Sequence, residues 1–62
     1  MMMWRVRING KSKLTTKNPE AAMRKGHLWW MRSDRMSLVQ IFSLGIGETL
    51  VEEWLPEPKE GA

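Results

Sequence analysis

The sequence predicts an α+β fold: a small antiparallel β-sheet with one short helix packed on it, ordered ββαββ with a final strand or short helix. Three observations carry this. Met2, Trp4, Val6 and Ile8 alternate with Met3, Arg5 and Arg7, the period-two pattern of a strand with one buried face. Asn9-Gly10 follows at once, the strongest short hairpin signal. The run NPEAAMRKG, from Asn18 to Gly26, then carries the punctuation of a short helix.

Within the hairpin, the faces argue for a register. A two-residue Asn9-Gly10 loop would set Arg5 opposite Leu14 and Val6 opposite Lys13, mixing apolar and charged positions. A three-residue loop, Ile8-Asn9-Gly10, puts Gly10 at a left-handed bulge position. It pairs Trp4 with Leu14, Val6 with Ser12, Arg5 with Lys13 and Arg7 with Lys11. This register is expected because it gathers the apolar residues on one face and four cations on the other, and a slip of one residue inverts a strand.

In the helical run, Asn18 suits the N-cap and Pro19 the first helical position. Glu20 complements the positive end of the helix dipole, and Arg24 and Lys25 the negative end. Gly26 is expected to stop the helix. Two turns cannot stand alone, so this helix must lie on the sheet, with Ala21, Ala22 and Met23 facing inward. His27–Arg32 (HLWWMR) is expected as a third strand, Ser33-Asp34 as a turn, and MSLVQIFSL (residues 36–44) as a fourth strand rich in β-branched and aromatic residues. Gly45-Ile46-Gly47 breaks the chain. Residues 48–55 fit either a helical face or the second strand of a hairpin, and the strand is preferred over a final short helix. Residues 1–55 form one domain, and the polar residues 56–62 a frayed tail.

The chain is 62 residues of 7.3 kDa without cysteine. Burial of about 60% of its unfolded surface is worth roughly 90 kcal/mol, and ordering the chain at about 1.5 kcal/mol per residue costs a similar total. No disulfide or thiolate–metal staple offsets this balance, so four tryptophans are first of all material for a core. No apolar run approaches the ~18 residues of a membrane span, and MMMWRVR lacks the apolar segment of a secretory signal. An intracellular protein is expected.

Charge is divided unevenly. Residues 1–35 hold nine Lys/Arg against two acids, a balance of +7; residues 36–62 hold one Lys against five Glu, a balance of −4. Such asymmetry points to a nucleic acid or an acidic partner, unless the two halves neutralise each other across the sheet.

The residues for catalysis are not assembled. His27 is the single histidine and Asp34 the single aspartate, and a triad needs a base beside its nucleophile and a group that orients the base. One His and no Cys do not make a metal site. Glu52 and Glu53 fall on opposite faces of a strand, and GIGET does not match a phosphate-binding loop. No enzyme, cofactor, metal or small-molecule substrate is expected.

What remains is a surface. Arg5, Arg7, Lys11 and Lys13 form the expected cationic hairpin face, extended by Lys17, Arg24, Lys25, Arg32 and Arg35, and such a ribbon follows phosphates or enters a groove. Trp29 and Trp30 point to opposite faces of a strand, so one is core and the other stacks on a base beside Arg32 or anchors a protein interface. Coverage of both sheet faces would instead make both tryptophans core.

WRVRINGKSKLTTKNPEAAMRKG, residues 4–26, resembles the hairpin-then-helix opening of small accessory proteins of tailed phages and prophages. That resemblance implies a mobile-element protein acting by binding, as some of these inhibit a host enzyme such as RNA polymerase. It covers little more than a third of the chain and carries over no functional residue. The expected function is therefore a non-catalytic nucleic-acid-binding module using Arg5, Arg7, Lys11, Lys13, Arg32 and Arg35 with Trp29 or Trp30. The alternatives are a protein-binding modulator anchored by exposed Trp and Arg, and a homodimer closed by pairing sheet edges.

Overall fold

A computed structural model describes residues 2–58 of the chain. Strands β1 (Met3–Ile8) and β2 (Lys11–Thr16) form a hairpin, helix α1 (Pro19–Arg32) follows, and β3 (Val39–Gly45) and β4 (Gly47–Trp54) form a second hairpin. The four strands make one antiparallel sheet in the order β2-β1-β3-β4, with α1 packed on one face. Among the described residues no helix is long and apolar enough to cross a membrane.

The first hairpin closes on two residues, not three. Asn9 and Gly10 both adopt positive φ, 51° and 84°, as the twist-matched two-residue turn requires. Ile8 pairs with Lys11 and Arg7 with Ser12; the register then shifts, and Val6 pairs with Leu14. The extra residue in β2 falls at Lys13, a bulge that brings Leu14 back to the apolar face. The mixing of faces that argued against a two-residue loop is thus cured inside the strand. Asn9 also fastens the turn to the sheet: its backbone N–H donates to the Leu38 carbonyl (2.8 Å), and its Oδ1 accepts from the Leu38 N–H (3.0 Å).

The expected stop at Gly26 is overturned. Helix α1 runs 14 residues, through the segment expected as a third strand, and carries Trp29 and Trp30 with it. Its buried residues Ala22, Gly26 and Trp30 recur every fourth position, one face of a helix. Gly26 permits this as a point of close approach. A Cβ there would lie 3.1 Å from Trp54 Cζ3, 3.3 Å from Ile41 Cδ1 and 3.4 Å from Val39 Cγ1. Of the inward set expected for the short helix, Ala22 is buried and Ala21 half-buried, while Met23 is exposed.

The N-cap is as expected: Asn18 Oδ1 accepts from the backbone N–H groups of Glu20 (2.9 Å) and Ala21 (3.3 Å). Asn18→Ala should lower stability by about 1 kcal/mol, read as a lower urea midpoint at unchanged slope. The helix ends at Ser33, whose hydroxyl donates to the Trp30 carbonyl (2.7 Å), and the chain turns through Asp34 and Arg35, both at positive φ.

Val6, Ala22, Trp30, Val39 and Ile41 form the core, with Trp4, Ile8, Leu14, Trp29 and Trp54 packed against it. Residues 48–55, open between helix and strand, fall largely in strand β4, the preferred reading. Within the segment expected as a tail, the Glu57 N–H donates to the Arg35 carbonyl (2.6 Å); residues 59–62 lie outside the described residues.

Candidate binding surfaces

The strand order decides what the charge asymmetry becomes in space. Central strand β1 presents Trp4, Val6 and Ile8 to the helix, opposite Ser43, Ile41 and Val39 of β3. It therefore presents Met3, Arg5 and Arg7 to the uncovered face, opposite Leu44, Phe42 and Gln40. On that face β4 adds Glu48, Leu50 and Glu53 as the neighbours of Leu44, Phe42 and Gln40. Arg5 and Arg7 both reach one carboxylate oxygen, Glu48 Oε1, at 2.9 and 2.8 Å. The Arg7 guanidinium also lies 4.8 Å over the Phe42 ring, within cation–π range.

The expected four-cation hairpin face does not form. Arg5 and Arg7 stand on the uncovered face, and Lys11, opposite Ile8, stands at a helix-side position of the edge strand. Lys13 occupies the bulge. Neutralisation across the sheet reaches only β1, because β2 and the acidic strand β4 are opposite edges. Among the described residues, Lys11, Lys13, Lys17, Arg24, Lys25 and Arg32 make no ion pair, and Arg35 makes a long one with Glu57 (3.7 Å).

Several of these cations share one flank. On α1, Pro19, Glu20, Met23, Arg24 and His27 line an open groove of about 500 Å³ against Trp54 of β4. Lys25 and Arg32 lie about 160° and 140° around the helix from His27, at 100° per residue. They turn away from β4, on the side where Lys11 and Lys13 of β2 and Lys17 of the connecting loop are exposed. Glu48, Glu52 and Glu53 all belong to β4, so these carboxylates stand at the edge opposite β2, with Arg24 beside them on the groove against Trp54.

Trp29 and Trp30 are not placed as expected. Being consecutive on a helix, they lie about 100° apart and not on opposite faces. Trp30 is 8% exposed and Trp29 packs against the core. Trp30 Nε1 donates to the Leu55 carbonyl (3.1 Å), tying the end of α1 to the end of β4. His27 stands with its ring centroid 6.0 Å from that of Trp30 and 5.7 Å from that of Trp54. Ser33, near His27 in sequence, is occupied in the C-cap.

Reasoning from sequence missed Phe42, Leu44 and Leu50 as surface residues. Their alternation with Ile41, Ser43 and Thr49 was legible, but the face that lacked a cover was not. Each edge strand carries a bulge, at Lys13 in β2 and at Val51 in β4, a device that blunts pairing between open edges. No protein-family model, curated protein or solved structure matches the chain.

Proposed function

We propose that the chain is a non-catalytic nucleic-acid-binding module that grips the phosphate backbone through its basic flank. The observation that carries this reading is the strand order. With β2 and β4 at opposite edges, the carboxylates of β4 are kept away from Lys11, Lys13, Lys17, Lys25 and Arg32. Exposed lysines and arginines without carboxylate partners are free to displace counterions from phosphates. Arg5 and Arg7 contribute less, because Glu48 already shares their charge. Trp30 is in the core and Trp29 packs against it, so the paired indoles add little to this reading. The contacts are to backbone, and binding carries little sequence preference.

Anisotropy of labelled duplex and single strands over a salt series tests this. Five phosphate contacts give a log–log slope of about −4.5 on duplex and about −3.5 on single strands, a loss of roughly 500-fold on duplex between about 50 and about 200 mM salt. The triple variant Lys11→Glu/Lys13→Glu/Lys25→Glu should bind neither form, while Arg5→Gln/Arg7→Gln should bind within a few-fold of the parent. Absence of binding at low salt removes the nucleic-acid reading and leaves an acidic protein surface as the partner of this flank. The modulator reading draws support from the uncovered sheet face, where Arg5 is paired across from Phe42 and Arg7 lies over its ring.

A further inference from the structure

We propose that the uncovered face of the sheet docks a second copy of this chain, face to face, about a two-fold axis running along β3. The face is apolar at its centre. Met3, Phe42 and Leu44 are half-buried, and Leu50 is 46% exposed. Its charges balance: Arg5 and Arg7 stand against Glu48 and Glu53, and the lysines lie elsewhere.

That balance favours a second copy as the occupant. A two-fold contact sets a patch against itself, so a patch with net charge repels itself. The basic flank fails this condition, as does the β4 edge; the uncovered face meets it although the whole chain carries +3.

The ion pairing within one copy is also lopsided. A single oxygen of Glu48 serves two guanidiniums, and Arg5 Nε is buried without an acceptor among the described residues. Glu53 meanwhile accepts only from the neutral Gln40 amide (2.8 Å) among the described residues. The register answers the imbalance between Arg7 and Glu53. Arg7, Gln40 and Glu53 form one row across β1, β3 and β4, and Arg5, Phe42 and Leu50 form the next alternate row. A two-fold along β3 keeps rows aligned and exchanges β1 with β4. It sets Glu53 of each copy over Arg7 of the other, and Phe42 over Phe42. Two sheets packed in this way stand about 10 Å apart, which lets rings projecting from both meet at about 4.5–7 Å between centroids, offset or edge to face.

The overlap covers three strands of six to eight residues, β1, β3 and β4, with β2 overhanging; this is at the small end of stable interfaces, so self-association with a Kd on the order of tens of micromolar is expected. Sedimentation equilibrium on the full chain reads it. Arg7→Glu and Glu53→Arg should each be monomeric, since each opposes like charges across the axis. An equimolar mixture of the two should form a heterodimer, because both contacts then pair opposite charges, and its formation also shows that each variant folds. Lys11→Glu/Lys13→Glu should dimerise as the parent does. A parent chain that stays monomeric at about 500 µM overturns the proposal and leaves the face to a different protein. Undiminished dimerisation of Arg7→Glu, or failure of the mixture to associate, overturns it equally.

Discussion

Trp30→Ala should leave the chain without a cooperative unfolding transition at 25 °C. Truncating a buried tryptophan costs about 3–5 kcal/mol, and a single core in a domain of this size rarely supplies more than about that total. Among the described residues Trp30 is one of five in the hydrophobic core cluster and the largest of them. It also donates the hydrogen bond to the Leu55 carbonyl, so its loss uncouples the end of α1 from the end of β4. Circular dichroism against urea checks this, with two controls. Trp30→Phe keeps most of the ring but not the N–H, and should cost about 1–2 kcal/mol with the transition intact. Trp29→Ala, partly exposed at the core margin, should cost less than Trp30→Ala. If Trp30→Ala melts cooperatively near the parent midpoint, the indole is not the centre of this core.

Gly26→Val should cost at least about 2–3 kcal/mol, against the usual gain from removing a helical glycine. In an exposed helix, replacing Gly by Ala stabilises by about 1 kcal/mol. Here the added Cβ alone would sit 3.1 Å from the Trp54 ring and 3.3 Å from Ile41. A rigid ring on one side and a buried aliphatic on the other leave little room to yield. Gly26→Ala should therefore sit near neutral or slightly destabilising, its propensity gain consumed by the contact, and Gly26→Val should lower the urea midpoint clearly. A stabilised Gly26→Ala would show that α1 can lift from β3 and β4 at little cost.

These two residues also mark where the sequence stopped being legible. The α+β class, a hairpin at Asn9-Gly10, the Asn18-Pro19 helix start and a strand within residues 36–44 follow from local chemistry, and the molecule has them, the strand beginning at Val39. Gly26 read as a stop because glycine ends helices by taking left-handed φ. The same missing Cβ also permits close packing, and only the tertiary neighbours Val39, Ile41 and Trp54 decide between the two. Once the helix is extended, His27–Arg32 is no longer a strand, and the paired tryptophans move from opposite faces to adjacent positions beside the core. The hairpin register failed for a related reason: a bulge at Lys13 restores facing without lengthening the turn, and nothing local at Lys11-Ser12-Lys13 announces it. Among the candidate site residues, the exposure of Lys11, Lys13 and Arg32 was legible from their charge. The partnering of Arg5 and Arg7 with Glu48, more than 40 positions away, was not, because it depends on which strands meet at the centre of the sheet.

The arrangement β2-β1-β3-β4 has a further consequence, for the kinetics of assembly. Both hairpins are local and close over short spans, in microseconds. Their joining along β1 and β3 brings together residues up to 41 apart, Met3 with Leu44, and bears the loop-closure entropy of the whole intervening helix. Relative contact order, and with it the folding rate, is therefore governed by that one central seam. Until it zips, the apolar sides of both hairpins stand open to water.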